Sequence, residues 1–472
     1  MPCACFNEIL GLIQQNPKFI CNITNFKLDW CNSFYGIREI LRILCSNCYS
    51  ISSLYLFSFL EYNKNEKSLS QLIKSQKNLQ KILFGYNYEY ILHHPLLSLR
   101  NSNCSNTLNT IIFYFVDFKN IVVLSEVFNH LNVLESIHII DCHSIYSNFI
   151  HQINNITKPF KLKTLFLIEI IHESLELLLQ KSGNYLENFR YNKPRQFQKL
   201  LRLLIKYCSN ISYIEFFDSF CVYSQINYHL LLLNLIKNIT QKLNYLTITV
   251  SNSSLLKNLG QILPFKLEYL ELNLFVNASD LVNASDLEIF LKKSQNTFIK
   301  KLLISTNIER KDNDILPYIE EHIMKKKRVK YIAILETYGK SEDLFSQTDK
   351  VKEFALHDIC VLKNFGFEVN SRYRDDSKYY EQEDKQRQLF KLIMKYCTKI
   401  RYFNSNEDTN YSSTVLQNLG QKLLIKDKGL HINEDILSCI KKYIIENERV
   451  KYLAISSNIT NYELFSLKKR SK

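Results

Sequence analysis

Cys45-Ser46-Asn47-Cys48 sets two soft ligands at chelating spacing. A structural zinc site needs a second ligand pair at a compatible distance. Cys31 and the Cys3/Cys5 pair are nearby and complete no standard spacing, so buried structural thiols are expected and no metal. His93-His94 runs into Pro95 and reads as a corner. Cys142-His143, with His138 before it, has the residue types of a thiol nucleophile and its base. Glu320-Glu321 and Asp375-Asp376 read as solvent-facing carboxylates. HExxH, GxSxG and the kinase motifs are absent. Glycine, which phosphate-cradling loops need, occurs nine times, with no GxxxxGK[ST] and no GxGxxG. No catalytic residue and no cofactor is therefore expected, and the chain is read as a non-enzyme.

The 472 residues exceed what one compact core needs, so several domains or one extended array are expected. Apolar residues are 46% and charged residues 22%, an ordinary globular balance. The formal charge of +14 would suit nucleic acid or acidic lipid. The lysines are scattered, however, amid abundant Asn, Ile, Tyr and Phe, so coding bias explains the charge and no nucleic-acid partner is expected. Thirteen cysteines without a secretory signal in "MPCACFNEILGLIQQ" point to free thiols in a reducing compartment, cytoplasmic or nuclear. The densest apolar stretch, "HLLLLNLI" at 229–236, is too short to span a membrane, so no membrane partner is expected.

The elements that would position any site come from repetition. A Leu-x-x-Leu-x-Leu frame, with other large apolar residues allowed, occurs at 23, 51, 79, 108, 134, 162, 186, 211, 243, 267, 299, 329 and 351, in steps of 22–32 residues. It returns at 400, degenerate, and at 450. Apolar residues two apart at the end of each phrase share one face of a strand. One-faced strands bury themselves only by stacking, and the period is near that of leucine-rich repeats. The segments between phrases read as helices: Leu69, Leu72, Ile73 and Gln76 share a face, as do Leu200, Leu203, Leu204 and Tyr207. So do Ile315, Ile319 and Ile323, and Ile436, Ile440 and Ile444. The expected fold is an α/β leucine-rich-repeat solenoid, a horseshoe with parallel strands on the concave face and helices on the convex face. The turn-facing Asn or Cys of such repeats is matched by Cys31, Asn87, Cys142, Asn307 and Asn458; Thr337, Ser219 and Asp408 depart from it.

Part of the array is written twice. "KKKRVKYIAI" at 325–334 returns as "ENERVKYLAI" at 446–455, and "LIKYCSNISYIEFF" at 204–217 as "IMKYCTKIRYFNSN" at 393–406. "SSLLKNLGQIL" at 253–263 returns as "SSTVLQNLGQKLL" at 412–424. The offsets shrink by about one repeat at a time, a loss a solenoid tolerates because each unit mainly contacts its neighbours. The expected divisions are a short N-terminal helical cap at 1–22, a repeat array at 23–369, a charged loop at 370–387, and partial duplicate repeats with a C-terminal cap at 388–472.

Several phrases are similar to an expanded fungal family of F-box/leucine-rich-repeat proteins. They include "LLSLRNSNCSNTLNTIIFYFVDFKN" (96–120), "VFNHLNVLESIHIIDC" (127–142), "KPFKLKTLFL" (158–167), "LPFKLEYLELNL" (263–274) and "LKKSQNTFIKKLLI" (291–304). The resemblance covers most of the chain from about Leu10 onward. It implies a repeat array that serves as substrate receptor in a Skp1–cullin–F-box ubiquitin ligase. The first phrase begins at Ile23, which leaves no room for an F-box of three helices. A Skp1-type adaptor is thus expected only if an F-box lies upstream. The alternatives are a truncated, drifting family copy without a selected partner, and a basic RNA-binding solenoid.

The third position of the phrase lies opposite the core and would line the concave side. It is Tyr213, Tyr245, Tyr269, Tyr331, Tyr402 and Tyr452 in six phrases, and the fifth adds His138, Arg190, Glu215, Thr247 and Glu271. Tyrosine suits protein interfaces, and it also suits strands. The expected partner-binding face carries Tyr213, Tyr245, Tyr269, Tyr331, Arg190, Glu215 and Glu271, for a protein substrate the sequence does not name.

Overall fold

A computed structural model describes residues 11–361 together with 422–426 and 452–456. Within the first span, 12, 30–36, 58–61, 88–91, 101–102, 168–171, 192–196, 217–227, 251, 275–281, 307–314 and 337–347 are outside the description. The expected loop at 370–387, Tyr402, Asp375-Asp376, Cys3, Cys5, Cys31, the ladder positions 219, 307, 337, 408 and 458, and the helix expected around 436–444 also lie outside the described residues.

The strands are β1 (Asn25–Asp29), β2 (Ser53–Phe57), β3 (Lys81–Asn87), β4 (Thr110–Val116) and β5 (Ser136–Cys142). They continue with β6 (Leu162–Leu167), β7 (Asn188–Tyr191), β8 (Tyr213–Phe216), β9 (Tyr245–Val250) and β10 (Lys266–Leu274). The last are β11 (Phe298–Thr306), β12 (Val329–Glu336), β13 (Cys360–Val361), β14 (Lys422–Lys426) and β15 (Tyr452–Ser456). A short helix α1 (Pro17–Ile20) precedes β1. Among the described residues one α-helix then separates each strand from the next as far as β13: α2 (Ile37–Asn47), α3 (Tyr62–Ser75), α4 (His93–Arg100), α5 (Leu124–His130), α6 (Ser147–Asn154) and α7 (His172–Ser182). After them come α8 (Phe197–Tyr207), α9 (Tyr228–Ile239), α10 (Ser253–Ile262), α11 (Ala284–Lys293), α12 (Leu316–Ile319) with a π turn at Glu320–Met324, and α13 (Thr348–Leu356).

All pairings are parallel, in one 15-stranded sheet ordered β13 to β1 in sequence and then β15 and β14. The chain is an α/β solenoid of leucine-rich-repeat type. Every phrase from Ile23 to Val329 contributes a strand. The phase is visible in the turns that precede the strands. The amide of Ser52 donates to Thr24 O, Gln80 to Ser52 O, and Asn109 to Gln80 O, at 2.8–2.9 Å. The same step links Glu187, Ser212, Asn244 and Glu268 further along.

One core runs the length of the array. Alternate strand residues such as Phe84, Phe113, Leu246 and Leu270 meet helix residues such as Leu72, Leu99, Leu204 and Leu256. Side-chain caps fix the starts of α10 and α11. Asn252 accepts from the amides of Ser254 and Leu255, and Asn283 forms a reciprocal capping box with Asp286. Buried polar side chains tie repeat to repeat: Gln76 accepts from Ile51 N at 3.0 Å and donates to Cys48 O at 2.9 Å. Arg328 donates to Leu291 O at 2.9 Å and to Ser294 O, satisfying carbonyls at the end of α11. Gly183 permits close approach, since a Cβ there would stand 2.6 Å from Tyr207 O.

One expectation is corrected. The phrase at 351, "VKEFAL", belongs to α13 and is not a strand. Positions one and four of the frame are also one turn of a helix, so Val351 and Phe354 face the core together while Leu356 is 82% exposed. The strand that follows is β13. The duplicated phrase at 450 is a strand, but it sits at the far end of the sheet. β15 pairs with β1, setting Lys27 opposite Ala454 and Leu28 opposite Ile455, and β14 lies beyond it. The order β14, β15, β1, β2 keeps the direction of the array, so the C-terminal strands cover the N-terminal edge as if they were earlier repeats.

Candidate functional site

The expected site residues lie on the strand face opposite the helices, in two rows fixed by the pairing register. One row runs Ile112, His138, Thr164, Asn188, then Tyr213, Tyr245, Tyr269, Lys301 and Tyr331. The other runs Gly85, Tyr114, Ile140, Phe166, then Arg190, Glu215, Thr247 and Glu271. The chemistry changes along these rows near β7.

From β2 to β6 the face is apolar and closed. Phe57, Leu83, Ile112, Tyr114, Ile140 and Phe166 form a second buried cluster, built from strand residues, with Tyr213 at its end. Gly85 leaves space for the Phe57 ring, whose Cδ1 would stand 2.7 Å from a Cβ there. Phe57 thereby reaches Tyr114 edge-on at 6.3 Å between centroids. His138 caps this half, its Nδ1 2.7 Å from Thr164 Oγ1. Burial, then the charges of Lys81 and Lys163, pull its imidazole down to about 4, so it is neutral.

At the boundary stands an ion network. The Arg190 guanidinium stacks 4.6 Å from the Phe166 centroid, bonds to Asp141, and lies 4.0 Å from Glu215. Asp141 reaches this place from a left-handed backbone, φ 51°, at the irregular end of the β5–β6 pairing. The Tyr213 hydroxyl donates to Glu215.

From β8 to β12 the face is a ladder of tyrosines. Ring centroids run from Phe166 to Tyr213 at 5.7 Å, to Tyr245 at 6.1 Å and to Tyr269 at 6.1 Å. The Tyr269 hydroxyl donates to Glu271 at 2.7 Å, and Thr247 donates to the same oxygen at 3.4 Å. The Lys301 ammonium lies 5.9 Å from the Tyr331 centroid. The structure thus brings together all seven residues expected on this face, in two classes. Tyr213 and Glu215 are buried, 8% and 7% exposed, and act as supports; Arg190, Tyr245, Tyr269, Glu271 and Tyr331 are half-buried. Sequence reading missed Asp141 and Phe166, two of the three groups that hold Arg190. Phe166 occupies the fifth position of its phrase and was legible there; Asp141 follows its phrase and was not.

The other candidate groups are dispersed. Cys48 is buried, with Sγ directed at Ile23 O at 3.5 Å, and Cys45 faces Ser68 O. Burial pushes the Cys45 thiol up to about 11 and raises Cys48. Cys142 accepts from Val116 N at 3.5 Å, the turn-facing role expected of it, and burial pushes its thiol up to about 12, so it is not a thiolate. His93 and His94 begin α4, and Glu320 and Glu321 begin the π turn. Among the described residues no group of three or more His, Cys, Asp or Glu could hold a metal ion. Among them, too, no helix is long and apolar enough to cross a membrane.

The fold and this face define a leucine-rich-repeat-type solenoid. No family model matches the chain, and no curated protein matches it. Among solved structures it is similar to the leucine-rich repeat-containing protein LegL7 from Legionella pneumophila, at 11% identity and a TM-score of 0.34, over 74% of this chain and 93% of that one.

Proposed function

We propose that the chain is a non-catalytic protein-binding scaffold, and that its strand face between β7 and β12 receives the partner. The observation that carries this is the register itself. Five half-buried side chains, Arg190, Tyr245, Tyr269, Glu271 and Tyr331, are collected on one side of one sheet. Aromatic rings with polar tips, interleaved with charge, are the groups that carry binding energy between proteins. The sequence resemblance extends the proposal to a substrate receptor of a Skp1–cullin–F-box ligase, working in the cytoplasm or nucleus, with a Skp1-type adaptor bound if an F-box lies upstream.

The test is capture of cellular proteins by the full chain, compared with Tyr245→Ala/Tyr269→Ala and with a helix-side control, Arg202→Ala. Partners held by the wild type and the control, and lost by the double variant, are the expected result. Capture unchanged in the double variant removes the proposal. Recovery of a Skp1-type adaptor alongside supports the ligase role. RNA binding with a steep salt dependence would replace the protein partner by nucleic acid.

A further inference from the structure

We propose that this face takes a basic side chain, an arginine or lysine of a partner polypeptide, laid over the Tyr245 ring and against Glu271. The proposal rests on reading the face as the binding surface and names what that surface selects.

The molecule contains a completed version of the arrangement. Arg190 stacks on an aromatic ring, Phe166, and is held from its edges by two carboxylates, Asp141 and Glu215. Two strands further along, ring and carboxylate recur. Tyr245 lies between Tyr213 and Tyr269, and Glu271 stands on the neighbouring strand beside them. Here no cation bridges ring and carboxylate: Lys300, whose charge is felt at Tyr245, is paired with Glu268 instead. Among the described residues Glu271 pairs with no Lys, Arg or His; its Oε2 accepts from two hydroxyls and its Oε1 from none. An ionised carboxylate offers about four acceptor positions, so most of its capacity is unused. The nearest cation along the row, Lys301, holds its ammonium over Tyr331 on the far side.

The hydroxyl bond from Tyr269 fixes Glu271 in place before a partner arrives, which lowers the ordering cost of binding. A guanidinium would satisfy ring and carboxylate together, stacking its plane on one and donating edge-on to the other. The net charge of +14 does not oppose this at contact distance, because fields between exposed charges are screened beyond about 8 Å in physiological salt.

The experiment pans a phage-displayed library of random dodecapeptides on the full chain, then measures selected peptides by fluorescence anisotropy. Expected are peptides with a required arginine or lysine. Replacing the key arginine by neutral citrulline should weaken binding about tenfold, the loss of one charge-assisted contact. Glu271→Gln should weaken the arginine peptide by a similar factor and leave the citrulline peptide unaffected. Glu271→Gln is isosteric, and an unchanged melting temperature separates lost binding from lost fold. Peptides that depend on Tyr245 and Tyr269 but are acidic, or indifferent to citrulline, overturn this proposal and leave the binding face standing. Selection of no peptide, or of peptides indifferent to Tyr245→Ala/Tyr269→Ala, overturns the face and this proposal together.

Discussion

The strand face has two halves with one backbone. From β2 to β6 its alternate positions hold Phe57, Leu83, Ile112, Tyr114, Ile140 and Phe166, all buried; from β9 to β12 the equivalent positions hold Tyr245, Tyr269, Glu271, Lys301, Leu303 and Tyr331, half-buried, with Thr247 and Ala333 buried among them. The pairing is parallel throughout, with a register shift at β5–β6, so most of the difference lies in the side chains. In a solenoid the helix side supplies the core everywhere, and the strand side is free to vary. Here one half is spent on stability and the other holds polar groups in place. The largest expected effect tests that division. Phe166→Ala should destabilise by about 3 kcal/mol, through lost burial, a residual cavity and loss of the surface under Arg190. Because units mainly contact neighbours, the loss should be local. Hydrogen exchange should rise in β5–β7 and hold steady in β11 and β12. An equal rise in both regions would show that the halves are one cooperative unit.

The second effect separates the halves by pH. His138, on the apolar half, has a folded pKa of about 4, below its ordinary value. The unfolded chain therefore binds the proton first as pH falls. Stability is fully present above about 6.5 and is lost as pH falls from there toward 4, by about 3 kcal/mol. Thermal melts across that window should show the slope, and His138→Gln should flatten it. A slope that survives the substitution would assign the titration elsewhere.

Asp141 and Phe166 were not equally visible in the sequence, for a physical reason. The alternation that makes a strand is local, so the phrases from Ile23 to Val329 and their shared face could be read directly, as could the tyrosine row. Burial on that face is not local. Glu215 and Tyr213 close over because Arg190 bridges to Asp141, 49 residues away, from a left-handed turn that apolar spacing does not encode. Edge contacts are equally hidden. "VKYLAI" announces a strand, but β1 and β13 both offer an edge, and nothing within six residues says which one β15 joins. At 351 the frame fits helix and strand alike, and tertiary packing decides for helix.

The smallest effect gives the sharpest contrast, because it uses one residue type in one row. The Tyr213 hydroxyl donates to buried Glu215, so Tyr213→Phe leaves a carboxylate oxygen short of a donor and should cost about 1 kcal/mol. The Tyr331 hydroxyl makes no hydrogen bond among the described residues, and its ring lies beside the Lys301 and Lys330 ammonium groups. Tyr331→Phe keeps the ring and should change stability by no more than about 0.3 kcal/mol. If both variants melt like the wild type, Tyr213 is no support and the boundary near β7 is not real. If Tyr331→Phe is the costlier, the tyrosine half is structural too, and its polar tips are not reserved for a partner.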